Sequence, residues 1–185
     1  MKPIIDSTDG GAIRASCSDP PAFGAVFDRH WPRIHRYCVV RAGPAGEDVA
    51  AETFRVVFDH RRRYDGRDDA GPWLFGIATN LLRESFRRAA RYERAQRRSA
   101  DEVTTDPFED AIERIEAQGL APELAAVLST LSPAERDALL LHACTELTYH
   151  EIARATSVPI GTVRSRIHRA RGQVRAHLES LEIWQ

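Results

Sequence analysis

The chain has 185 residues, of which 43% are apolar and 29% are charged, and its formal net charge is −1. This length suits one ordinary domain or two small ones, and the near-neutral charge argues against a general coat for nucleic acid. No apolar run is long enough to span a membrane, and the polar N-terminus lacks the apolar segment of a signal peptide. We therefore expect a cytoplasmic protein that does not insert into a membrane.

The charges are distributed unevenly along the chain. Residues 20–100 hold sixteen arginines and ten acidic residues, whereas residues 101–127 hold eight acidic residues and one arginine. Residues 128–185 hold seven arginines and six acidic residues. A basic block, an acidic strip and a mildly basic block indicate separate roles for three parts of the chain.

Helical periodicity begins after a polar N-terminal stretch. Residues 1–21 are polar and hold two glycines and three prolines, and residues 1–19 are predicted to form a flexible arm. Apolar spacing predicts helices on both sides of a break at residues 43–46, and a further helix from Pro72 into the nineties. The acidic residues 101–123 are predicted to be a linker, in which 108–117 has the pattern of a short helix.

Further helices are predicted after the linker. Residues 120–131 have helical spacing, and Ser132, Pro133 and Glu135 together predict the start of the next helix. No segment alternates with the period of two that strands show. The sequence therefore predicts an all-α protein with two small helical domains, residues 20–100 and 124–185, joined by the acidic linker.

The segment TYHEIARATSVPIGTVRSRIHRAR, residues 148–171, predicts a helix-turn-helix. Thr148 and Glu151 have the spacing of a capping box, and residues 157–161 interrupt the helix that it starts. Apolar residues then recur at helical spacing, and the opposite face carries arginines: Arg164, Arg166, Arg169 and Arg171. This pattern is typical of a second helix that enters the DNA major groove.

A second basic helix face is predicted upstream. Five arginines recur every three or four residues and follow Asn80 by about one turn: Arg83, Arg87, Arg91, Arg94 and Arg98. Such a stripe either neutralises nucleic-acid phosphates or is an ordinary solvated face. The preceding stretch, residues 64–71, is either a simple surface turn or a pocket for an unstacked base. Trp73 is predicted to be a core residue.

Signals of catalysis and metal binding are missing from the sequence. His150-Glu151 is followed by Arg154 where the zinc motif HExxH requires histidine, and there is no phosphate-binding glycine loop. The three cysteines form no CxxC pair. We therefore expect no enzymatic activity, no metal site and no cofactor.

Three segments resemble the extracytoplasmic-function (ECF) class of bacterial sigma factors, the smallest sigma-70-type subunits of RNA polymerase. GEDVAAETFRVVF at 46–58 is similar to the helix that docks on the polymerase. PWLFGIATNLLRESFRR at 72–88 is similar to the segment that reads and opens the −10 element. Residues 131–178, with GTVRSR and HRAR, are similar to the −35 reader. The resemblance implies sigma region 2 within 20–100 and sigma region 4 within 124–185.

The resemblance implies roles for individual residues. The polymerase would contact Asp48 and Glu52, although Ala51 stands where the family usually has glutamine. The −10 element would be bound by Tyr64, Asn80, Arg83, Arg87, Arg88 and Arg91. The −35 element would be bound by Thr162, Arg164, Ser165, Arg166, His168, Arg169 and Arg171.

The same resemblance implies partners. They are core RNA polymerase, promoter DNA and an anti-sigma factor that holds the protein inactive. The acidic linker would then pass through polymerase channels, or else be a merely solvated tether. An alternative from another class is a self-sufficient helix-turn-helix transcriptional regulator that binds DNA without polymerase. A helical enzyme with a DNA-binding tail is a third and weaker alternative, because the sequence lacks catalytic motifs.

Overall fold

The computed structural model describes residues 8–97 and 122–182. Within these ranges the chain forms helices and no strand, as predicted. The α-helices are α1 (Asp9–Ser16), α2 (Gly24–Ala42), α3 (Ala45–His60), α4 (Gly71–Arg97), α5 (Pro122–Thr130), α6 (Pro133–Cys144), α7 (Tyr149–Thr156) and α8 (Ile160–Glu182). Two short 3₁₀ helices, Pro20–Phe23 and Arg61–Arg63, precede α2 and follow α3. No described helix has the combined length and apolar character of a membrane span.

Helices α2, α3 and α4 form the core of the N-terminal domain. Their inward faces carry fully buried side chains, among them Val26, Ile34, Tyr37, Val57, Leu74, Phe75 and Leu82. Burying each large apolar side chain contributes about 1.5–3 kcal/mol. The buried hydroxyl of Tyr37 is satisfied by Thr79, whose Oγ1 lies 3.0 Å away.

The structure corrects the predicted arm at residues 9–16, which form the helix α1. Its start is capped by Thr8, whose side chain accepts a hydrogen bond from the Gly11 N–H group. Ala12 and Ile13 are each only 1% exposed. Two glycines lower the intrinsic helix propensity of this segment, and tertiary burial overrides that preference.

The predicted helix boundaries agree with the structure where capping residues specify them. Gly43 ends α2 with a φ of 57°, a left-handed value that glycine adopts without strain. The Asp69 carboxylate accepts a hydrogen bond from Gly71 N at 2.8 Å, where α4 begins. Ser132 caps α6, with Pro133 in the first turn. The predicted linker, with its possible helix at 108–117, lies outside the described residues except where α5 begins at Pro122.

The C-terminal domain consists of α5 to α8. Helices α6 and α8 make its most extensive contact, and α7 packs against both. Its apolar core is formed by Leu131, Leu140, Leu141, Ile152, Val163, Ile167 and Ala170. This packing leaves the opposite side of α8 facing solvent.

The two domains pack against each other through α4 with α7 and α2 with α6. Gly76 of α4 permits a very close approach, because a Cβ there would lie 2.8 Å from the carbonyl oxygen of Ala155. Polar contacts surround this apolar junction. Arg36 donates a hydrogen bond of 2.6 Å from its Nη2 to the carbonyl oxygen of Cys144.

Candidate nucleic-acid interface

The turn between α7 and α8 has the predicted helix-turn-helix geometry. The capping box is present: Glu151 N–H lies 3.3 Å from Thr148 Oγ1, and Thr148 N–H lies 2.7 Å from Glu151 Oε2. Ser157 ends α7 in the left-handed region, with φ 54° and ψ 41°. The Pro159 carbonyl accepts hydrogen bonds from Thr162 and Val163, which starts α8. A three-residue turn therefore fixes the direction of α8 relative to α7.

The residues predicted to face the −35 groove lie on the outer side of α8. Val163, Ile167 and Ala170 are at most 1% exposed and hold the helix against the core. Every residue proposed for this role is exposed or half-buried: Thr162, Arg164, Ser165, Arg166, His168, Arg169 and Arg171. The periodic pattern of the sequence thus identified the accessible face correctly, while contact with DNA stays a prediction.

Two residues of this face already have protein partners. Arg169 Nε donates to Glu135 Oε1 of α6 at 2.7 Å, although the arginine side chain is 58% exposed. Ser165 Oγ donates to the Thr162 carbonyl at 3.0 Å. Within the described ranges, Arg164, Arg166 and Arg171 form no ion pair. These three guanidinium groups are therefore the ones most directly available to an anionic ligand.

The residues predicted to face the −10 element are divided between solvent and the domain junction. Asn80, Arg87, Arg88 and Arg91 are exposed on α4. Arg83 is different, because its Nε donates to Asp137 Oδ2 of the C-terminal domain at 2.7 Å. Arg94 continues the exposed face, and Arg98 lies outside the described residues.

Two shallow cavities share Trp73 and Arg63, and the larger of them is also lined by Asn80. The larger, about 400 Å³, is lined by Val56, His60, Arg63, Trp73, Ile77, Asn80, Leu81 and Glu84. The smaller, about 250 Å³, is lined by Arg63, Tyr64, Asp65, Pro72, Trp73 and Arg154. The sequence indicated Trp73 as a core residue, but it is only partly buried against the core and also lines both cavities.

Tyr64 is held in place by its own loop. Its ring lies against Trp73, with the ring centroids 4.8 Å apart. Its hydroxyl lies 3.1 Å from the carbonyl oxygen of Arg67 and 3.0 Å from that of Asp69. Burial, followed by the Asp65 charge, raises the pKa of Tyr64.

The acidic edge of α3 is partly neutralised by an arginine of the same helix, Arg55. Asp48 is exposed. Glu52, by contrast, receives hydrogen bonds from Arg55, at 2.7 Å from Nε and 2.5 Å from Nη2. These bonds lower the pKa of Glu52. The structure therefore leaves Asp48 as the more available carboxylate of the predicted docking pair.

The domain junction is organised by Asp137, a residue that the sequence pattern did not single out. Its carboxylate is fully buried and lies between Arg41 Nη2, at 2.5 Å, and Arg83 Nε, at 2.7 Å. Arg41 is itself only 4% exposed. An unpaired buried charge is costly, so these groups stabilise one another only while the domains remain packed. Arg154 of α7 also reaches the N-terminal domain, where it lines the smaller cavity together with Tyr64.

A cluster of Asp9, His30 and Asp69 brings three possible metal-ligand atoms within 4.8 Å of one another. Both oxygens of Asp9 already accept hydrogen bonds, from the Arg29 side chain, His30 and the Ala70 N–H group. Asp9 is therefore a carboxylate held in place by hydrogen bonds to neighbouring segments.

Comparison with known families matches both domains. Residues 26–92 match Sigma-70 region 2, and residues 122–174 match Sigma-70, region 4. The ECF RNA polymerase sigma factor SigE of Mycolicibacterium smegmatis is 33% identical over 180 residues, covering 94% of this chain and 69% of the relative. The RNA polymerase sigma factor CarQ of Myxococcus xanthus is 30% identical over 171 residues, covering 88% of this chain and 92% of the relative.

Solved structures support the same fold. CnrH, in its complex with the cytosolic domain of CnrY, is similar with a TM-score of 0.68 and 24% identity, covering 95% of this chain and 99% of that one. The sigma factor RpoE of Bartonella quintana, in its complex with the anti-sigma factor NepR, gives a TM-score of 0.64 and 19% identity. The similarity covers 86% of this chain and 98% of that one. With both sigma regions in order and a 33% identical relative matched over 69% of its length, the chain belongs to the ECF family of sigma-70 RNA polymerase sigma factors.

Proposed function

We propose that this sigma factor directs promoter-specific initiation by binding core RNA polymerase through α3, the −10 element through α4 and the −35 element through α8. One observation carries the proposal. In each of the two sigma regions, one long helix buries an apolar face and turns an arginine-rich face outward. This activity requires the cytoplasm, where polymerase and promoters are found. The factor supplies recognition, and the polymerase supplies the catalysis.

Recognition of the −35 element follows from the geometry of α8. A helix that is anchored by a preceding helix and a short turn can enter the major groove with its N-terminal residues towards the bases. Arginine forms bidentate hydrogen bonds with guanine, and other arginines on the same face neutralise phosphates. We expect Arg164 and Arg166 to lie deepest, because they are nearest the start of α8.

Opening of the −10 element requires a place for unstacked bases. Removing a base from the duplex costs a few kcal/mol, which contacts in a protein pocket offset. The cavities beside Tyr64, Trp73 and Asn80 offer aromatic surface and an exposed amide. The exposed arginines further along α4 would follow the strand through its phosphates.

Promoter binding requires the two domains to separate. Elements at −35 and −10 lie about 25 base pairs apart, or about 85 Å at the rise of B-DNA. Here, Arg83 on the predicted −10 face of α4 is bound to Asp137 of α6, in the other domain. The packed arrangement therefore corresponds to a factor that is not engaged with a promoter.

We also propose that an anti-sigma protein controls this factor. The structural relative RpoE was solved with its anti-sigma factor NepR. An inhibitor that favours the packed arrangement, or that covers the exposed faces of α3 and α4, would prevent engagement with polymerase and promoter.

The proposal is tested by gel shift and co-purification with core polymerase. We expect a stable complex with core and specific promoter binding only in its presence. Asp48→Arg should weaken that complex, whereas the control Asp19→Arg, at an exposed position before α2, should not. Tight specific duplex binding by the isolated chain would instead support a self-sufficient regulator.

A further inference from the structure

Helix α1 is attached to the loop of residues 64–71, which carries Tyr64. Its Asp9 N–H group donates to the carbonyl of Asp68 at 3.0 Å, and Arg14 Nη1 donates to the carbonyl of Gly66 at 3.2 Å. Gly10 lies directly against this loop, because a Cβ there would be 2.5 Å from the Arg67 carbonyl oxygen. The backbone of α1 is therefore in contact with the backbone of the loop.

The Asp9 side chain completes this attachment. It is 2% exposed, and its Oδ2 accepts a hydrogen bond of 2.8 Å from the Ala70 N–H group at the end of the loop. The same oxygen lies 2.6 Å from His30 Nε2, and Oδ1 pairs with Arg29. One carboxylate thus connects α1, α2 and the segment that leads into α4.

The attached loop contributes Tyr64 and Asp65 to the lining of the smaller cavity. Tyr64 forms one wall of it, and the tyrosine hydroxyl is held by carbonyls of the same loop that α1 contacts, at Arg67 and Asp69. Gly66 has a φ of +76°, a left-handed conformation that sets the path of the loop. If α1 did not hold Gly66 to Ala70, the tyrosine ring would lose its fixed position against Trp73.

We infer that α1, through Asp9 and Gly10, is a positioning element for recognition of the unstacked −10 base. This inference rests on the proposed function and adds to it a contribution from a helix outside the matched sigma regions. A pocket for a flipped base discriminates among bases only when its walls are held in place before binding. Asp9 and Gly10 do not touch the base; they hold the loop that does.

The test uses the full chain with core polymerase and four forked promoters that differ only at the unstacked −10 base. We compare wild type with Asp9→Ala, Asp9→Asn and Gly10→Ala, and use Ser18→Ala, which lies beyond α1, as control. Loss of a positioning hydrogen bond should reduce binding to the preferred fork by about fivefold, and Asp9→Asn less than Asp9→Ala. The preference among the four bases should fall, while affinity for core and for a −35 duplex stays unchanged.

Three outcomes are distinguishable. If wild type forms no promoter complex with core, the proposed function fails. If wild type does so and the variants keep its preference among bases, this inference alone is wrong. Arg14→Ala is a change at an exposed position that removes the hydrogen bond to the Gly66 carbonyl. If the Asp9 variants also lose core affinity and thermal stability, an unaltered base preference in both Arg14→Ala and Gly10→Ala would overturn the inference.

Discussion

At the scale of single residues, two buried carboxylates organise the cationic side chains around them. Asp9 pairs with Arg29 and His30, and Asp137 pairs with Arg41 and Arg83. A charge removed from water costs several kcal/mol unless it is paired and hydrogen-bonded. Each carboxylate therefore stabilises one particular arrangement of the segments that supply its partners.

Asp9 makes the stability of the N-terminal domain depend on pH. Burial by itself would raise the pKa of Asp9, but hydrogen bonds from His30 and the Ala70 N–H, with the nearby positive charges, lower it to about 2. A lowered pKa in the folded state contributes stability above the ordinary pKa of about 4, and this contribution, roughly 2 kcal/mol, is lost between pH 4 and about pH 2. In urea unfolding at pH 5, Asp9→Asn should therefore be less stable than wild type by about this amount, and the difference in the free energy of unfolding should shrink towards pH 2. A difference that stays constant with pH would show that the lowered pKa of Asp9 is not its source.

Arg166 provides a test of the −35 face. It forms no ion pair within the described residues and lies near the start of α8. Replacing a groove-facing arginine costs about 1–3 kcal/mol, so Arg166→Ala should reduce run-off transcription from the cognate promoter several-fold or more. The matched control is Arg175→Ala, which is exposed on the same helix more than two turns further on. Equal transcription by Arg166→Ala and wild type would show that Arg166 does not contribute to recognition of the −35 element.

At the scale of elements, the helix-turn-helix depends on local signals. Thr148 and Glu151 satisfy each other's backbone N–H groups, and α7 places Ile152 and Ala155 in the core. These signals act over three or four residues, so the sequence predicts them reliably. Helix α1 was missed for the opposite reason, since its stability comes from contacts with the loop of residues 64–71, more than fifty residues away.

The capping box of α7 gives a prediction at this scale. Removing an N-cap hydroxyl costs about 1 kcal/mol, so Thr148→Ala should lower the urea midpoint of the C-terminal domain and weaken −35 binding with it. His150→Ala, in the same helical turn at an exposed position, should leave both unchanged. Unaltered stability in Thr148→Ala would show that packing alone defines the start of α7.

The sequence predicted which helix faces form the candidate site, but it did not predict the ion pairs that the arginines on those faces make. Helical spacing identified which side of α4 and α8 is accessible. It did not reveal that Arg83 binds Asp137 or that Arg169 binds Glu135, because these pairs join residues more than thirty positions apart. Trp73 was assigned to the core because periodicity describes one helix face and cannot show that a neighbouring loop leaves part of the indole beside a cavity.

At the scale of the whole molecule, the packed domains and the proposed promoter complex are alternative arrangements. Asp137 and Arg41 favour the packed one, since separation exposes or unpairs charges that are buried here. Asp137→Ala leaves Arg41 without its partner in the packed state, at a cost of about 3–5 kcal/mol. We expect a larger radius of gyration in small-angle scattering and tighter binding to single-stranded −10 DNA.

The control for this prediction is an exposed pair at the same junction. Arg33 and Glu146 lie 3.9 Å apart, and the glutamate side chain is 90% exposed. Exposed pairs contribute little, so Glu146→Ala should leave the radius of gyration unchanged. If Asp137→Ala is as compact as wild type, the buried pair does not control the packing of the domains.

The most direct test of the central claim is transcription from genomic DNA by purified bacterial core polymerase with and without this protein. We predict new start sites that share two upstream sequence elements at constant spacing and that disappear with Asp48→Arg. If the protein adds no start sites to those of core polymerase alone, the assignment of promoter recognition to α4 and α8 is wrong.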